Sequence, residues 1–188
     1  MSKALEQLAR EVGVNERTLR RAVTDGTIRA KRTSPYKLDL PVSERRYVRS
    51  HWSALGALRA ALRTEPSVEC AVLFGSAARG DDEPVSDVDV LVWLRDGSSA
   101  ARFALARRLT TRVGREVQVV DARDAHERPS LLLSILRDGR VLVDRTGRWQ
   151  KLNARAAGLR RAAVKQQREL VSRAEEARAF FAGSATSS

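Results

Sequence analysis

The hydrophobic positions of this chain change character twice. Over residues 1–40 they recur at three- and four-residue steps: Leu5, Leu8 and Val12, then, beyond Gly13, Leu19, Ala22 and Val23. That spacing lines one face of a helix, so two short helices are expected, followed by the turn-containing connector "TIRAKRTSPYKLDLP". From 43 to 147 compact apolar runs of strand length alternate with helical patterns. The strands are "VECAVLF", "DVDVLVWL", "REVQVVD" and "RVLVD". The first helix is capped by Ser43, buries Val48, Trp52, Leu55, Leu58 and Leu62, and stops before Pro66. The turn "SAARG" follows the first strand. A helix capped by Ser99 turns Phe103, Ala106, Leu109 and Val113 inward, and "PSLLLSIL" forms another that Gly139 ends. This order predicts an α/β (α+β) domain around one central mixed sheet. Residues 148–183 read as one long amphipathic helix, with Leu152, Ala156, Leu159, Ala163, Gln166, Leu170, Ala174, Ala177 and Phe181 as its stripe. Residues 184–188 read as a frayed tail.

Composition adds a partner class and removes several chemistries. The chain has 188 residues, and its 35 Lys+Arg against 23 Asp+Glu leave a net charge of +12. Such an excess points to an anionic partner, nucleic acid ahead of a membrane surface. Only five of the basic residues are lysines, so an arginine-rich coding bias would produce the same charge. Cys70 is the single cysteine, which excludes a disulfide framework and a thiolate zinc site. His51 and His126 are the only histidines and have no ligand spacing. No run approaches the ~18 apolar residues of a membrane span, and "MSKALEQLAR" lacks a signal-peptide core. A cytoplasmic protein is expected.

Within residues 1–40, "LAREVGVNERTLRRAV" has the pattern of a helix-turn-helix. Gly13 occupies the turn, Asn15 is placed to cap the second helix, and Arg17, Thr18, Arg20 and Arg21 point outward with Glu16. Such residues meet base edges and phosphates in a major groove. The stretch "DGTIRAKR" resembles the entry to a small wing, which would bring Arg29, Lys31 and Arg32 beside phosphates. Double-stranded DNA is the expected partner, with a homodimer as the usual way to gain affinity. The plainer alternative is a helical hairpin packed on the larger domain. The long C-terminal helix has three readings: a cover for the domain, part of a dimer interface, or a basic docking surface for RNA or DNA.

The stretch "LFGSAARGDDEPVSDVDVLVW" concentrates the chemistry. Alternation along a strand puts Asp87 and Asp89 on one side and Val88, Val90 and Val92 on the other. Two carboxylates side by side repel unless a cation lies between them, and a hard cation such as Mg²⁺ accepts oxygen ligands. Upstream, Gly75 lets the backbone approach a ligand, and Ser76 opens a turn able to hold a phosphate. The residues Gly75-Ser76, Ala78-Arg79-Gly80 and Ser86-Asp87-Val88-Asp89 together resemble the DNA polymerase β-like nucleotidyltransferase superfamily, in its minimal nucleotidyltransferase branch, over about residues 50–145. That resemblance implies Asp87 and Asp89 as metal ligands, and Gly75, Ser76 and Arg79 at a nucleoside triphosphate with Mg²⁺ or Mn²⁺. It implies transfer of a nucleoside monophosphate to a hydroxyl with release of pyrophosphate. Minimal members often act as antitoxins that AMPylate a partner toxin, so a toxin or other protein partner is implied.

One position departs from the family. Its third carboxylate aligns on Gln118, which is neutral and cannot serve as a base. Asp121 is a possible substitute, although alternation puts it on the opposite face, and Glu116 and Asp124 are others. Two readings follow: a DNA-binding regulator whose nucleotidyltransferase-like domain is degenerate, or an active transferase tethered to DNA. Three units are expected at 1–40, 43–147 and 148–183.

Overall fold

The computed structural model describes residues 3–34 and 37–184, and the side chains of 4–31 and 38–173. Helix α1 (Lys3–Glu11) and helix α2 (Glu16–Asp25) are joined through Gly13 at φ +69°. Asn15 caps α2 by accepting from the Arg17 N–H at 2.8 Å. A two-stranded antiparallel hairpin follows, β1 (Lys31–Ser34) and β2 (Lys37–Asp39). Helix α3 (Val42–Arg63) crosses the body, with Val48, Trp52, Leu55, Leu58 and Leu62 buried as their spacing requires. It enters directly after Pro41, whose φ of −53° leads into the helix, so Ser43 lies inside the first turn and does not cap it.

The central sheet contains β3 (Val68–Phe74), β4 (Val88–Leu94), β5 (Val117–Asp121) and β6 (Arg140–Asp144), in the spatial order β5-β4-β3-β6. Only the β4–β5 pair is parallel, so the sheet is mixed. Between β3 and β4 sits the five-residue helix α4 (Gly75–Arg79). Helix α5 (Ser99–Val113) joins β4 to β5, and α6 (Ala122–His126) and α7 (Pro129–Asp138) join β5 to β6. Ser98, not Ser99, caps α5 through the Ala101 N–H. Leu105 and Leu109 bury, while Phe103 is 69% exposed, because the helix turns its Leu105 side to α3 and β5.

Each face of the sheet has its own core. Val88, Val90 and Val92 pack with α3, α5 and the N-terminal helices. Cys70, Val72 and Leu91 pack with α6, α7 and Leu152. Leu5, Leu8, Leu19 and Ile28 belong to the first core, so α1 and α2 are part of the same packed body as α3. The expected single C-terminal helix is two: α8 (Arg148–Ala154) ends at Arg155, whose φ −90° and ψ 0° leave the helical region, and α9 (Ala156–Ser184) follows. α9 lies on α7 at its start, with Leu159 against the second core. Further along, Val164, Leu170 and Val171 are exposed. The side chains of the stripe residues Ala174, Ala177 and Phe181, and the whole of the tail 185–188, lie outside what is described. No described helix is long and apolar enough to cross a membrane.

Candidate nucleotide site

The site forms where three strand positions fall into one row. Phe74, the last residue of β3, pairs with Asp89 of β4, and Asp89 pairs with Gln118 of β5. Immediately after Phe74 the chain turns at Gly75, with φ +73°, into α4. A Cβ built on Gly75 would stand 2.3 Å from Asp89 Oδ2. Only glycine therefore allows the turn and the carboxylate to occupy adjacent space. Ser76 is half-buried in the first turn of α4, whose end Gly80 closes in the left-handed region at φ +85°.

Asp87 immediately precedes β4, and Asp89 lies two residues on, within the strand. Burial, and then the negative charge of Asp87, push the Asp89 carboxyl above its ordinary range, while Arg79 pulls it back. Gln118 is exposed and donates from Nε2 to Asp87 Oδ2 at 2.6 Å. The third position of the row thus holds a neutral donor bound to one of the two carboxylates. Among the described residues no group of three or more His, Cys, Asp or Glu side chains is placed to hold a metal. Two neighbouring carboxylates beside a glycine with no side chain nevertheless fit a hard divalent cation, since the donors are all oxygen.

Asp121 does not join them. It is buried at the far end of β5, where it caps α6 by accepting the Arg123 N–H at 2.8 Å and pairs with the Arg123 guanidinium at 2.9 Å. Burial works against its ionisation, and the Arg123 bonds outweigh that, holding its carboxyl below the usual range. Three residues along a strand is about 10 Å, with the side chain reversed, so Asp121 cannot replace Gln118. Asp124 is engaged by Arg102 at 2.5 Å, and Glu116 is exposed, its carbonyl bonded to the Val88 N–H at 2.9 Å.

A second cluster, invisible to pattern reading, supports the loop that delivers Asp87. Asp82 is buried and accepts from His51 Nε2 at 2.8 Å and from Arg115 Nη1 at 2.7 Å. Arg115 Nη2 also donates to the Ser86 carbonyl at 2.6 Å, one residue before Asp87. Burial works against the Asp82 charge, yet the Arg115 and His51 bonds hold its carboxyl below the usual range. Asp82 lies in a polar loop and His51 on a helix thirty-one residues away, so no periodicity links them.

On the N-terminal unit, Arg17, Thr18, Arg21 and Lys31 are exposed. Arg20 is half-buried and pairs with Glu16. Arg29 donates from its guanidinium to the Asp138 carbonyl at the end of α7, and burial lowers its pKa. The Arg32 side chain lies outside the described residues.

The mixed four-stranded sheet, with the Gly75 turn directly after β3 and Asp87 and Asp89 at the start of β4, has a nucleotidyltransferase fold. Residues 57–148 match the family model "Polymerase beta, Nucleotidyltransferase". No curated protein matches the chain in sequence. Several solved structures share the fold. A chain of a toxin–antitoxin crystal structure with AMP-PNP aligns at TM-score 0.55 and 21% identity, covering 64% of this chain and 98% of that one. A chain of the tri-AMPylated Shewanella oneidensis HEPN toxin in complex with MNT antitoxin aligns at TM-score 0.52 and 19% identity, covering 66% and 98%. One from the toxin–antitoxin pair MntA–HepT aligns at 0.50 and 19%, covering 65% and 97%.

Proposed function

We propose that this protein is a DNA-binding regulator of antitoxin type, whose nucleotidyltransferase-fold domain binds a metal–nucleotide and is degenerate for transfer. The observation that carries this reading is the Phe74–Asp89–Gln118 row: the metal-type pair is intact, while the third position holds a neutral side chain bonded to Asp87. Asp87 and Asp89 would hold Mg²⁺ or Mn²⁺, and Gly75, Ser76 and Arg79 would face the phosphates of a nucleoside triphosphate. When bound, the cation neutralises phosphate charge and holds the nucleotide in one place. Gln118 can orient a neighbouring group by hydrogen bonding but cannot take a proton from an attacking hydroxyl. Loss of a positioned base lowers rate by ~10²–10⁴.

Toxin partnership rests on the neighbours, which come from toxin–antitoxin structures. The DNA arm rests on the exposed Arg17, Thr18 and Arg21 of α2 and on Lys31 of the hairpin, within a chain of net charge +12. Arg20 and Arg29 contribute less than their positions in sequence suggest, since both already have partners.

The intact pair also supports the second reading, an active transferase. Incubation with Mg²⁺ and each labelled nucleoside triphosphate, with and without a co-purified partner, separates the two. Nucleotide binding without transfer, lost in Asp87→Ala, supports the regulator. Steady labelling of an acceptor, lost in the same variant, supports the transferase. If Asp87→Ala binds nucleotide as well as the unaltered chain, both are wrong. For the DNA arm, Arg17→Ala with Arg21→Ala is expected to abolish the salt-dependent mobility shift of the protein's own promoter, and a shift that survives removes α2 from the interface.

A further inference from the structure

Two main-chain carbonyls of α4 are held by side chains from outside the nucleotide site. The Tyr47 hydroxyl donates to the Ala77 carbonyl at 2.8 Å, and Arg140 Nε donates to the Ala78 carbonyl at 2.7 Å. A five-residue helix cannot satisfy its own last carbonyls, so their direction is set by these two donors. Arg140 is 1% exposed and lies over the Tyr47 ring, 3.4 Å from its centre. Its remaining nitrogens pair with Glu44 and reach the Thr27 carbonyl at 3.2 Å, just past α2. Glu44 also accepts the Arg29 N–H at 2.8 Å.

The same assembly reaches the other arm of the site. His51 stacks on Tyr47, with ring centres 4.4 Å apart and planes within 5°. Its Nε2 bonds to Asp82, which Arg115 ties to the Ser86 carbonyl beside Asp87. A buried ion pair adds little stability over apolar side chains of equal volume. What a guanidinium fork does provide is fixed direction, and here the directions point at α4.

We infer that Tyr47 and Arg140 are positioning residues for the nucleotide site: they fix the α4 turn, and through the His51 stack the Asp87 loop, in the geometry that accepts a metal–nucleotide. This rests on the proposed nucleotide-binding reading. Neither side chain touches the ligand; they act through the Gly75–Arg79 backbone. Burial raises the Tyr47 phenol to about 12, so it remains a donor at any working pH.

The test uses the full chain with Mg²⁺ and ATP, GTP, CTP or UTP as probes, comparing Tyr47→Phe, which removes one hydroxyl and keeps the ring, with Arg140→Lys. Dissociation constants are measured where urea titration shows each variant fully folded. A loss of position of about 1 Å is expected to weaken affinity for the preferred nucleotide by about tenfold or more in Tyr47→Phe and further in Arg140→Lys. Affinity in folded Tyr47→Phe within about twofold of the unaltered chain overturns the inference. So does a loss that tracks the unfolded fraction alone, because that is a structural role. If the unaltered chain binds none of the four, the nucleotide-binding reading itself fails, and the inference fails with it.

Discussion

Gly75 and Gln118 are the residues on which the proposed metal–nucleotide chemistry turns. At Gly75 two demands coincide, a left-handed backbone and a space that Asp89 fills to within 2.3 Å of a would-be Cβ. Gly75→Ala therefore meets both backbone strain and a clash with a carboxylate. A destabilisation of about 1–3 kcal/mol is expected by urea titration, with metal–nucleotide binding lost even in the folded protein. Gln118 is the opposite case, a position where one substitution should add function. Gln118→Asp would place a third carboxylate beside Asp87 and Asp89, and without metal the added repulsion should lower stability. With Mg²⁺ present, transfer to acceptor should rise by ~10²-fold or more in a labelled-nucleotide assay. No rise would mean the domain lacks more than a base. The aspartate pair, the Gly-Ser turn and the Gln118 departure are all legible in sequence, because strand alternation fixes faces without knowledge of tertiary structure. The exclusion of Asp121 was half legible: alternation put it on the wrong face, and only the cap of α6 and the Arg123 pair show where it went.

At the level of elements, helices and strands were readable where their own periodicity decides them, and misread where a neighbour does. α3 and the four strands of the central sheet follow their patterns. α5 does so only in part: Leu109 is buried and Val113 packs on the core as expected, but Leu105 takes the place expected of Phe103, which is exposed. The break at Arg155 was equally unreadable, since no Gly or Pro marks it. The loop between α4 and β4 depends on a contact of the same long-range kind, the buried Asp82 between His51 and Arg115. Asp82→Asn keeps the shape and removes the charge, so a loss of about 1.5–3 kcal/mol is expected at neutral pH. The sign with pH follows from the direction of the shift. The folded carboxyl lies below its ordinary value, so its contribution is present above the ordinary carboxylate range and disappears as pH falls through and below it. The stability gap between Asp82→Asn and the unaltered chain should thus begin to close as pH falls through the ordinary carboxylate range and vanish below the lowered folded value. A gap that persists unchanged at the acid end would place the stabilising charge elsewhere.

For the whole molecule, the decisive fact is that the N-terminal helices share a core with α3. Leu5, Leu8, Leu19 and Ile28 are all fully buried in the cluster that contains Tyr47, Val48, Leu55 and Leu58. Polar stitching reinforces the join: the Val141 N–H donates to the Gly26 carbonyl at 3.2 Å, Thr27 Oγ1 donates to the Val141 carbonyl at 2.5 Å, and Arg59 pairs with Asp25 at 2.6 Å. The helices α1 and α2, read in sequence as part of a separate unit, therefore share the first core of the sheet and also carry an exposed basic row. Each large side chain buried there contributes roughly 1.5–3 kcal/mol, and four of them approach the whole net stability of a domain. A chain beginning at residue 41 is accordingly expected to lose cooperative unfolding and to aggregate, although its nucleotidyltransferase sequence is complete. The full chain should unfold in one urea transition, with far-ultraviolet circular dichroism and tryptophan fluorescence coincident. A shortened chain with the urea midpoint of the full one would show that α1 and α2 only rest on the surface. If instead it unfolds as expected, the outward arginines of α2 and the aspartates of β4 belong to one cooperative body, and substitutions at either must be compared at equal folded fraction.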